Sequence, residues 1–257
     1  SIERARIHSQ AKLDYAGVQA WLDSDPVPQK PYEESLLLLR ELGNRLIAAA
    51  ARRGVVRFDR TETQISVEGE PPRFSAGRRK RYATERYNEQ LSLMCNMQGA
   101  EIMLALSGVS DAVQAVFRVH EAPLRKQLGQ LRDKLSRFAE RQADPEAWRW
   151  QTEQSLADYV DSLPQAPVHR RQVTSIQRQI MQAQRASSFT PEAGEHHALK
   201  AASYARFSSP MREVVGIFTH KELLEAVGGH AYDKDIDTQL RDAVIEAANT
   251  SRQVQRK

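Results

Sequence analysis

The chain has 257 residues, 40% of them hydrophobic, and its lysines and arginines exceed its acidic residues by 37 − 33 = 4. This length and apolar content allow a substantial core and exclude a disordered tail. The single cysteine excludes an internal disulfide and an all-cysteine zinc site, which suits a reducing cytoplasm. Because no stretch approaches the ~20 apolar residues of a membrane span, we expect a soluble protein. We also expect it to be cytoplasmic and monomeric.

Apolar residues at helical spacing recur along the chain and predict a mostly helical α+β fold with a small mixed sheet. The predicted helices are one that ends near Asp23, then Tyr32 to Arg53, Ala83 to Leu106, Pro123 to Arg141, Asp144-Pro145 to Pro164, Val173 to Ala183, one that starts at Ser209-Pro210, and Thr238 to the end. The predicted strands lie at the N-terminus, between Val55 and Phe74, and over Ala115 to Val119. Residues 25–31 and 187–195 are predicted to be loops.

Positive charge is clustered in three runs. They are Arg78-Arg79-Lys80-Arg81, then His169-Arg170-Arg171 continuing to Arg178 and Arg185, and finally Arg252 through Lys257. Such runs are usually solvated faces, but they are also the electrostatic footprint of a protein that binds nucleic acid. Both interpretations remain open from the runs alone.

An arginine near a predicted helix start indicates an anion site. Ser209 is a suitable N-cap, and Pro210 suits the first helical position. Arg212 would then lie in the first turn, where the helix dipole disfavours a cation. A phosphate would fit the free N–H groups, the hydroxyls of Ser208 and Ser209, and the guanidinium, whose planar fork matches two phosphate oxygens. An ordinary helix start with a solvated arginine fits the same residues.

Four segments occur in an order that is typical of a known family. They are Ala11-Lys12-Leu13-Asp14-Tyr15, Glu89 to Asn96, Arg118-Val119-His120-Glu121-Ala122-Pro123, and a last one with His196-His197-Ala198-Leu199, Tyr204, Ser208-Ser209-Pro210-Met211-Arg212, and His220-Lys221 with Leu223. Together they resemble the ribonuclease II and ribonuclease R (RNB) family. The corresponding family motifs are A-K-L-x-Y, E-E-x-M-x-x-A-N, R-x-H-x-x-P, and H-F-G-L followed by Y-x-x-x-T-S-P-I-R-[RK]-Y-x-D and H-R-x-L.

The resemblance implies an exoribonuclease that hydrolyses single-stranded RNA processively from its 3′ end with magnesium. It implies that Arg212 is the catalytic residue that grips the phosphate near the scissile bond. The residues that it assigns to RNA binding are Arg118, His120, His196, Tyr204, Ser208 and Ser209, with Glu89 and Asn96 at the RNA channel. From the residues alone, a polar side chain such as Glu89 on an apolar helix face is more often hydrogen-bonded structure.

Two departures from the family pattern limit what this chain is expected to do. Glu213-Val214-Val215-Gly216 stands where the family has Arg/Lys-Tyr-x-Asp, so the usual aspartate is lost. The catalytic Asp-rich block of the family lies upstream of A-K-L-x-Y, but only ten residues precede Ala11 and none is Asp. We therefore expect residues 1–257 to be a partial RNB domain that is inactive alone. The magnesium ligands and both flanking oligonucleotide-binding barrels would lie outside it.

Two local patterns suggest a metal site, but each is better interpreted as structure. Adjacent His196 and His197 point apart on a helix or strand and lack further ligands at a recognised spacing. Asp233, Asp235 and Asp237 lack the glycine and the distal glutamate of a calcium loop, and Asp237 would serve as an N-cap. We expect no metal ligand here. A catalytically inactive RNA-binding paralogue and a helical protein-interaction module remain as alternative functions.

Overall fold

The computed structural model describes residues 5–58, 61–208, 212–228 and 233–254. The helices in these ranges are α1 (Tyr15–Asp23), α2 (Pro31–Arg52), α3 (Ala83–Val109), α4 (Arg125–Ala139), α5 (Leu156–Ser162), α6 (Arg170–Ala183), α7 (Val214–Gly228) and α8 (Lys234–Val254). The strands are β1 (Thr61–Glu68), β2 (Arg73–Lys80), β3 (Phe117–Val119) and β4 (Ser188–Thr190). Short 3₁₀ turns cover Glu146–Trp148, Pro167–His169 and His197–Leu199.

The strands form two antiparallel pairs, β1 with β2 and β3 with β4. In the second pair Phe117 lies opposite Thr190, and Arg118 lies opposite Phe189. The mostly helical α+β fold predicted from the sequence is confirmed. Its β content is two two-stranded sheets instead of one mixed sheet, because β1 pairs with the β2 strand that directly follows it across a short turn.

The chain divides into two compact units, and the division runs through α2 and α3. The first contains the described residues up to Ala49 together with Phe58–Leu91. In it α1 is fixed to the start of α3, since Thr84 donates hydrogen bonds to Gln19 (3.0 Å) and to the carbonyl of Tyr15 (3.1 Å). Helix α2 approaches α3 closely at Gly43, where a Cβ would lie 2.5 Å from the Tyr87 side chain.

The second unit contains Ala50–Arg57 and the described residues from Ser92 onward. One part of its core packs α7 and α8 against the β3–β4 pair, through Val116, Phe189, Val215, Phe218 and Val244. Asn249 of α8 accepts a hydrogen bond from the N–H of Phe189 (2.8 Å) and donates one to its carbonyl (2.9 Å). Helix α8 therefore satisfies the edge of β4 as well as covering the core.

Some predicted elements differ from the observed ones. The helix predicted from Asp144-Pro145 to Pro164 is a 3₁₀ turn followed by the separate helix α5, because Trp150 Nε1 bonds to the carbonyl of Gln154 (2.9 Å) and closes a loop between them. Strand β4 lies where a loop was predicted. Residues 5–14 contain no strand. None of the helices in the described ranges is both long enough and apolar enough to cross a membrane.

Candidate functional site

A buried amide on α3 holds the segment that leads to Arg212. The Asn96 side chain is 1% exposed, and its Oδ1 accepts hydrogen bonds from the N–H groups of Phe207 (2.7 Å) and Ser208 (2.8 Å). Its Nδ2 donates to Tyr204 Oη (2.7 Å) and Ser208 Oγ (3.0 Å). All four hydrogen-bonding positions of the amide are therefore used within the protein. This supports a role in positioning residues 204–208, and a contact of Asn96 with RNA stays a prediction.

Phe207 is anchored by two further contacts. A Cβ at Gly99, one turn after Asn96 on α3, would lie 2.1 Å from the Phe207 ring. Only a glycine therefore leaves room for this ring against the helix. On the other side, His220 Nε2 of α7 lies 3.0 Å from the Phe207 carbonyl oxygen. Phe207 is thus fixed between α3 and α7.

Four of the predicted RNA-binding residues meet beside β3. The N–H of Arg118 donates to the carbonyl of Tyr204 (2.7 Å), and the ring of His196 packs between Tyr204 (5.1 Å between centroids) and His120 (5.2 Å). Tyr204, His120 and His196 are buried. The structure therefore brings them together as a packed wall under the signature segment. Their contact with RNA, like that of Ser208, stays a prediction.

The two stacked histidines are electrically neutral for different reasons. His120 Nδ1 accepts a hydrogen bond from the N–H of Ala198 (3.1 Å), so the proton sits on Nε2, which bonds to the Arg185 carbonyl (2.8 Å). Burial first, and then the charge of Arg118, lower the pKa of His196 to about 3. No described residue bonds to its buried Nδ1.

Arg118 keeps its charge although burial lowers its pKa to about 10. Its Nε donates to Ser187 Oγ (3.1 Å). The partly buried guanidinium lies near the charges of Arg206, Arg252 and Glu213. This part of the second unit therefore concentrates positive charge, as a polyanion site requires.

Arg212 is exposed and lies in a turn before α7, which begins at Val214. The prediction that Arg212 lies in the first turn of a helix is therefore wrong. Glu213 ends the non-helical segment, because its carbonyl accepts the hydrogen bond of Ile217 (3.1 Å) while its carboxylate pairs with Arg206. The predicted N-cap Ser209, with Pro210, lies outside the described residues.

Glu89 lies in the first unit, where its Oε2 accepts a hydrogen bond from Arg81 (3.2 Å). Arg79 of the same basic run forms a two-bonded ion pair with Glu85 (2.9 and 3.0 Å). Burial opposes the ionised form of Glu85, but the hydrogen bonds from Arg79 and the Tyr82 N–H, together with the charges of Arg79 and Arg81, outweigh it and lower the pKa of Glu85. Part of the charge in this run is thus neutralised by α3. The assignment of Glu89 to an RNA channel stays a prediction.

A lysine-centred cluster was missed by the sequence reasoning. Glu222, Glu225 and Asp237 bring carboxylate oxygens within 4.8 Å of one another, as a metal site would. Lys221 Nζ bonds to all three, at 3.1, 2.7 and 2.6 Å. Burial alone would lower the pKa of Lys221, but the bonds to Asp237, Glu225 and Glu222 outweigh it and raise the pKa. The spacing of Lys221 and Glu225, four residues apart on one helix, was the available sequence signal.

An aspartate caps the start of α8, but it is Asp233 and not the predicted Asp237. Asp233 Oδ1 accepts hydrogen bonds from the N–H groups of Asp235 (3.1 Å) and Ile236 (3.2 Å). Asp237 already lies inside α8 and is buried against Lys221. The prediction that Asp237 is the N-cap is therefore wrong, since the helix begins at Lys234.

Comparison with known proteins decides the family. The model of the RNB domain matches residues 1–229. The chain belongs to the RNB-domain family. Ribonuclease R of Vibrio parahaemolyticus is 25% identical over 223 residues, which are 85% of this chain and 25% of that protein. Ribonuclease R of Aquifex aeolicus is 24% identical over 247 residues, 94% of this chain and 32% of the relative. The resemblance to ribonuclease R and ribonuclease II is thus confirmed.

Two solved structures share the fold. Mycoplasma genitalium RNase R in complex with ribose-methylated single-stranded RNA superposes with a TM-score of 0.72 at 18% identity, over 93% of this chain and 36% of that one. A yeast protein described as a pseudonuclease, Ssd1, superposes with a TM-score of 0.58 at 14% identity, over 92% of this chain and 28% of its own. This chain therefore spans well under half the length of these relatives.

Proposed function

We propose that the protein containing these 257 residues is a 3′-to-5′ hydrolytic exoribonuclease of single-stranded RNA. The chain is in this proposal a partial RNB domain that positions the RNA phosphate. The observation that carries the proposal is the exposed Arg212, which follows a segment fixed by Asn96 and His220. Membership of the RNB-domain family supports it.

Hydrolysis of a phosphodiester needs an activated water, a cation near the developing charge, and an aligned phosphate. Arg212 suits the second and third requirements, since its planar fork can bind two phosphate oxygens. The buried wall of Tyr204, His196 and His120 would support this region. Single-stranded RNA is the partner that we propose, with Arg118 adding positive charge beneath the site.

We propose that the described residues do not hold the magnesium ion. Magnesium needs several oxygen ligands in near-octahedral geometry. The carboxylate group that comes nearest to this, Glu222 with Glu225 and Asp237, already holds the ammonium of Lys221 at its centre. We therefore propose that the metal ligands belong to the Asp-rich block that the family carries upstream, and that this chain alone binds RNA without cleaving it.

An inactive RNA-binding paralogue is the second candidate. Gly216 stands where the family pattern has an aspartate, and the fold is shared with a yeast structure described as a pseudonuclease. This fold is therefore compatible with an active exoribonuclease and with an inactive paralogue.

Incubation of 5′-labelled single-stranded RNA with the intact protein, with and without magnesium, separates the candidates. Progressive shortening from the 3′ end that requires magnesium supports the exoribonuclease. Salt-dependent binding without shortening supports the paralogue, and absence of binding supports a protein-interaction module. The 257-residue chain, tested in parallel, should bind but not shorten the RNA. If it shortens RNA with magnesium, and Asp235→Asn stops this, the metal ligands lie within the chain after all.

A further inference from the structure

An ion pair closes the segment that carries Arg212. Arg206 Nε donates to Glu213 Oε2 at 2.6 Å, and its Nη2 donates to Glu213 Oε1, so that the guanidinium fork engages both carboxylate oxygens. The two side chains are 22% and 38% exposed. This pair joins the residue immediately before Phe207 to the residue immediately after Arg212. It therefore fixes the distance between the two ends of the segment.

Each end of this segment is also tied to a helix. On the Arg206 side, the next residue, Phe207, is held by Asn96 of α3. On the Glu213 side, the carbonyl of Glu213 accepts the first hydrogen bond of α7, from Ile217. A bidentate pair adds orientation as well as attraction, because both N–H bonds must align with the carboxylate plane. The pair thus links Phe207, which α3 holds, to the start of α7.

Glu213 places a negative charge beside Arg212, and Arg206 pairs with this charge. The family motif has arginine or lysine at this position, whereas this chain has a carboxylate directly beside Arg212. An uncompensated carboxylate there would repel an RNA phosphate and attract the Arg212 guanidinium. The hydrogen bonds from Arg206 are the largest influence on Glu213 and lower its pKa. Glu213 therefore stays ionised and engaged with Arg206.

We propose that Arg206 is a positioning residue for Arg212: through its fork to Glu213 it orients the turn and neutralises the carboxylate beside the phosphate site. The proposal rests on the proposed role of Arg212. It assigns a function to a charge pattern, arginine at 206 with glutamate at 213, that the family motif does not contain.

The experiment measures single-turnover hydrolysis of single-stranded RNA by the intact protein at saturating and at subsaturating RNA. Arg206→Ala should lower the maximal rate about 10- to 100-fold, because small displacements of a positioning group cost this much. The thermal midpoint should change little, because a partly exposed ion pair contributes little to stability. Arg206→Lys should restore only part of the rate, since an ammonium lacks the fork.

Two double variants separate positioning from charge. Arg206→Ala with Glu213→Gln should recover the part of the loss caused by the bare carboxylate. Arg206→Glu with Glu213→Arg should recover most of the rate, because it rebuilds the pair in reverse. Arg45→Ala, which breaks the more exposed ion pair of Arg45 with Glu41 (2.5 Å) in α2, serves as the control and should leave the rate unchanged.

The outcomes distinguish this proposal from the one on which it rests. If Arg212→Ala loses activity while Arg206→Ala stays within about twofold of the unsubstituted protein, Arg206 has no positioning role. The positioning role is equally refuted if the reversed pair is no more active than Arg206→Glu alone. If Arg212→Ala itself keeps its activity, the phosphate site is wrong, whatever Arg206 does.

Discussion

Replacement of Asn96 by alanine should loosen the segment that leads to Arg212. The substitution removes four hydrogen bonds of a side chain that is 1% exposed. It leaves the N–H groups of Phe207 and Ser208 without their acceptor. An unsatisfied buried donor costs roughly 1–3 kcal/mol, and the deleted amide also leaves a small cavity. Because Ser208 is only partly buried, we expect a loss of about 2–4 kcal/mol in the free energy of unfolding.

Urea denaturation of the 257-residue chain, followed by circular dichroism, measures this loss. Asn88→Ala is the matched control, since Asn88 lies on the same helix, is exposed, and donates to Tyr15 Oη (2.9 Å). It should cost about 1 kcal/mol or less. RNA binding by Asn96→Ala should also become insensitive to a second substitution at Arg212, because residues that act together are not additive. Equal losses for Asn96→Ala and Asn88→Ala would refute the reasoning.

Three further predictions concern packing, acid stability and RNA binding. Gly99→Ala should destabilise the chain by about 1–3 kcal/mol through the clash with Phe207, whereas Gly108→Ala on the same helix, with nothing within 4 Å, should be neutral or stabilising in the same urea titration. The pKa of His196 falls from 6.5 to about 3 on folding. Between these two pH values His196 is protonated in the unfolded state and neutral in the folded state. Below pH ~6.5 the free energy of unfolding should therefore fall by up to about 1.4 kcal/mol per pH unit. In His196→Phe the midpoint of thermal melts should fall less steeply as the pH is lowered, and an unchanged pH dependence would contradict this. Neutralising Arg170-Arg171 should flatten the slope of log affinity for RNA against log salt by about 0.7 for each phosphate that the run no longer binds, and an unchanged slope would make this run a solvated face.

Much of the helical framework could be predicted because its signal is local. The leucines of α2 and the apolar residues of α3 repeat at helical spacing, and both helices have nearly the predicted bounds. Strand β4 has only three residues, which is too short for any periodicity to show. It exists because β3 and Asn249 supply its hydrogen-bonding partners.

The candidate site depends on partners that are distant in sequence. Asn96 bonds to Ser208 across 112 residues. A polar side chain on an apolar helix face indicated that Asn96 makes a buried hydrogen bond, but the sequence did not identify its partner. The helix start was misplaced for a similar reason. Ser209-Pro210 is a good local signal, but Glu213 is the last residue before the helix and its carboxylate is held by Arg206.

Turnover of the intact protein carrying Arg212→Ala tests the central claim most directly. If Arg212 grips the phosphate near the scissile bond, the rate of RNA hydrolysis should fall ~10²-fold or more. Affinity for single-stranded RNA should change by only about 1–3 kcal/mol, because the substitution removes one of several phosphate-binding groups. Arg212→Lys should restore little of the rate, since an ammonium cannot form the two-bonded fork. Near-normal turnover of Arg212→Ala would contradict the account.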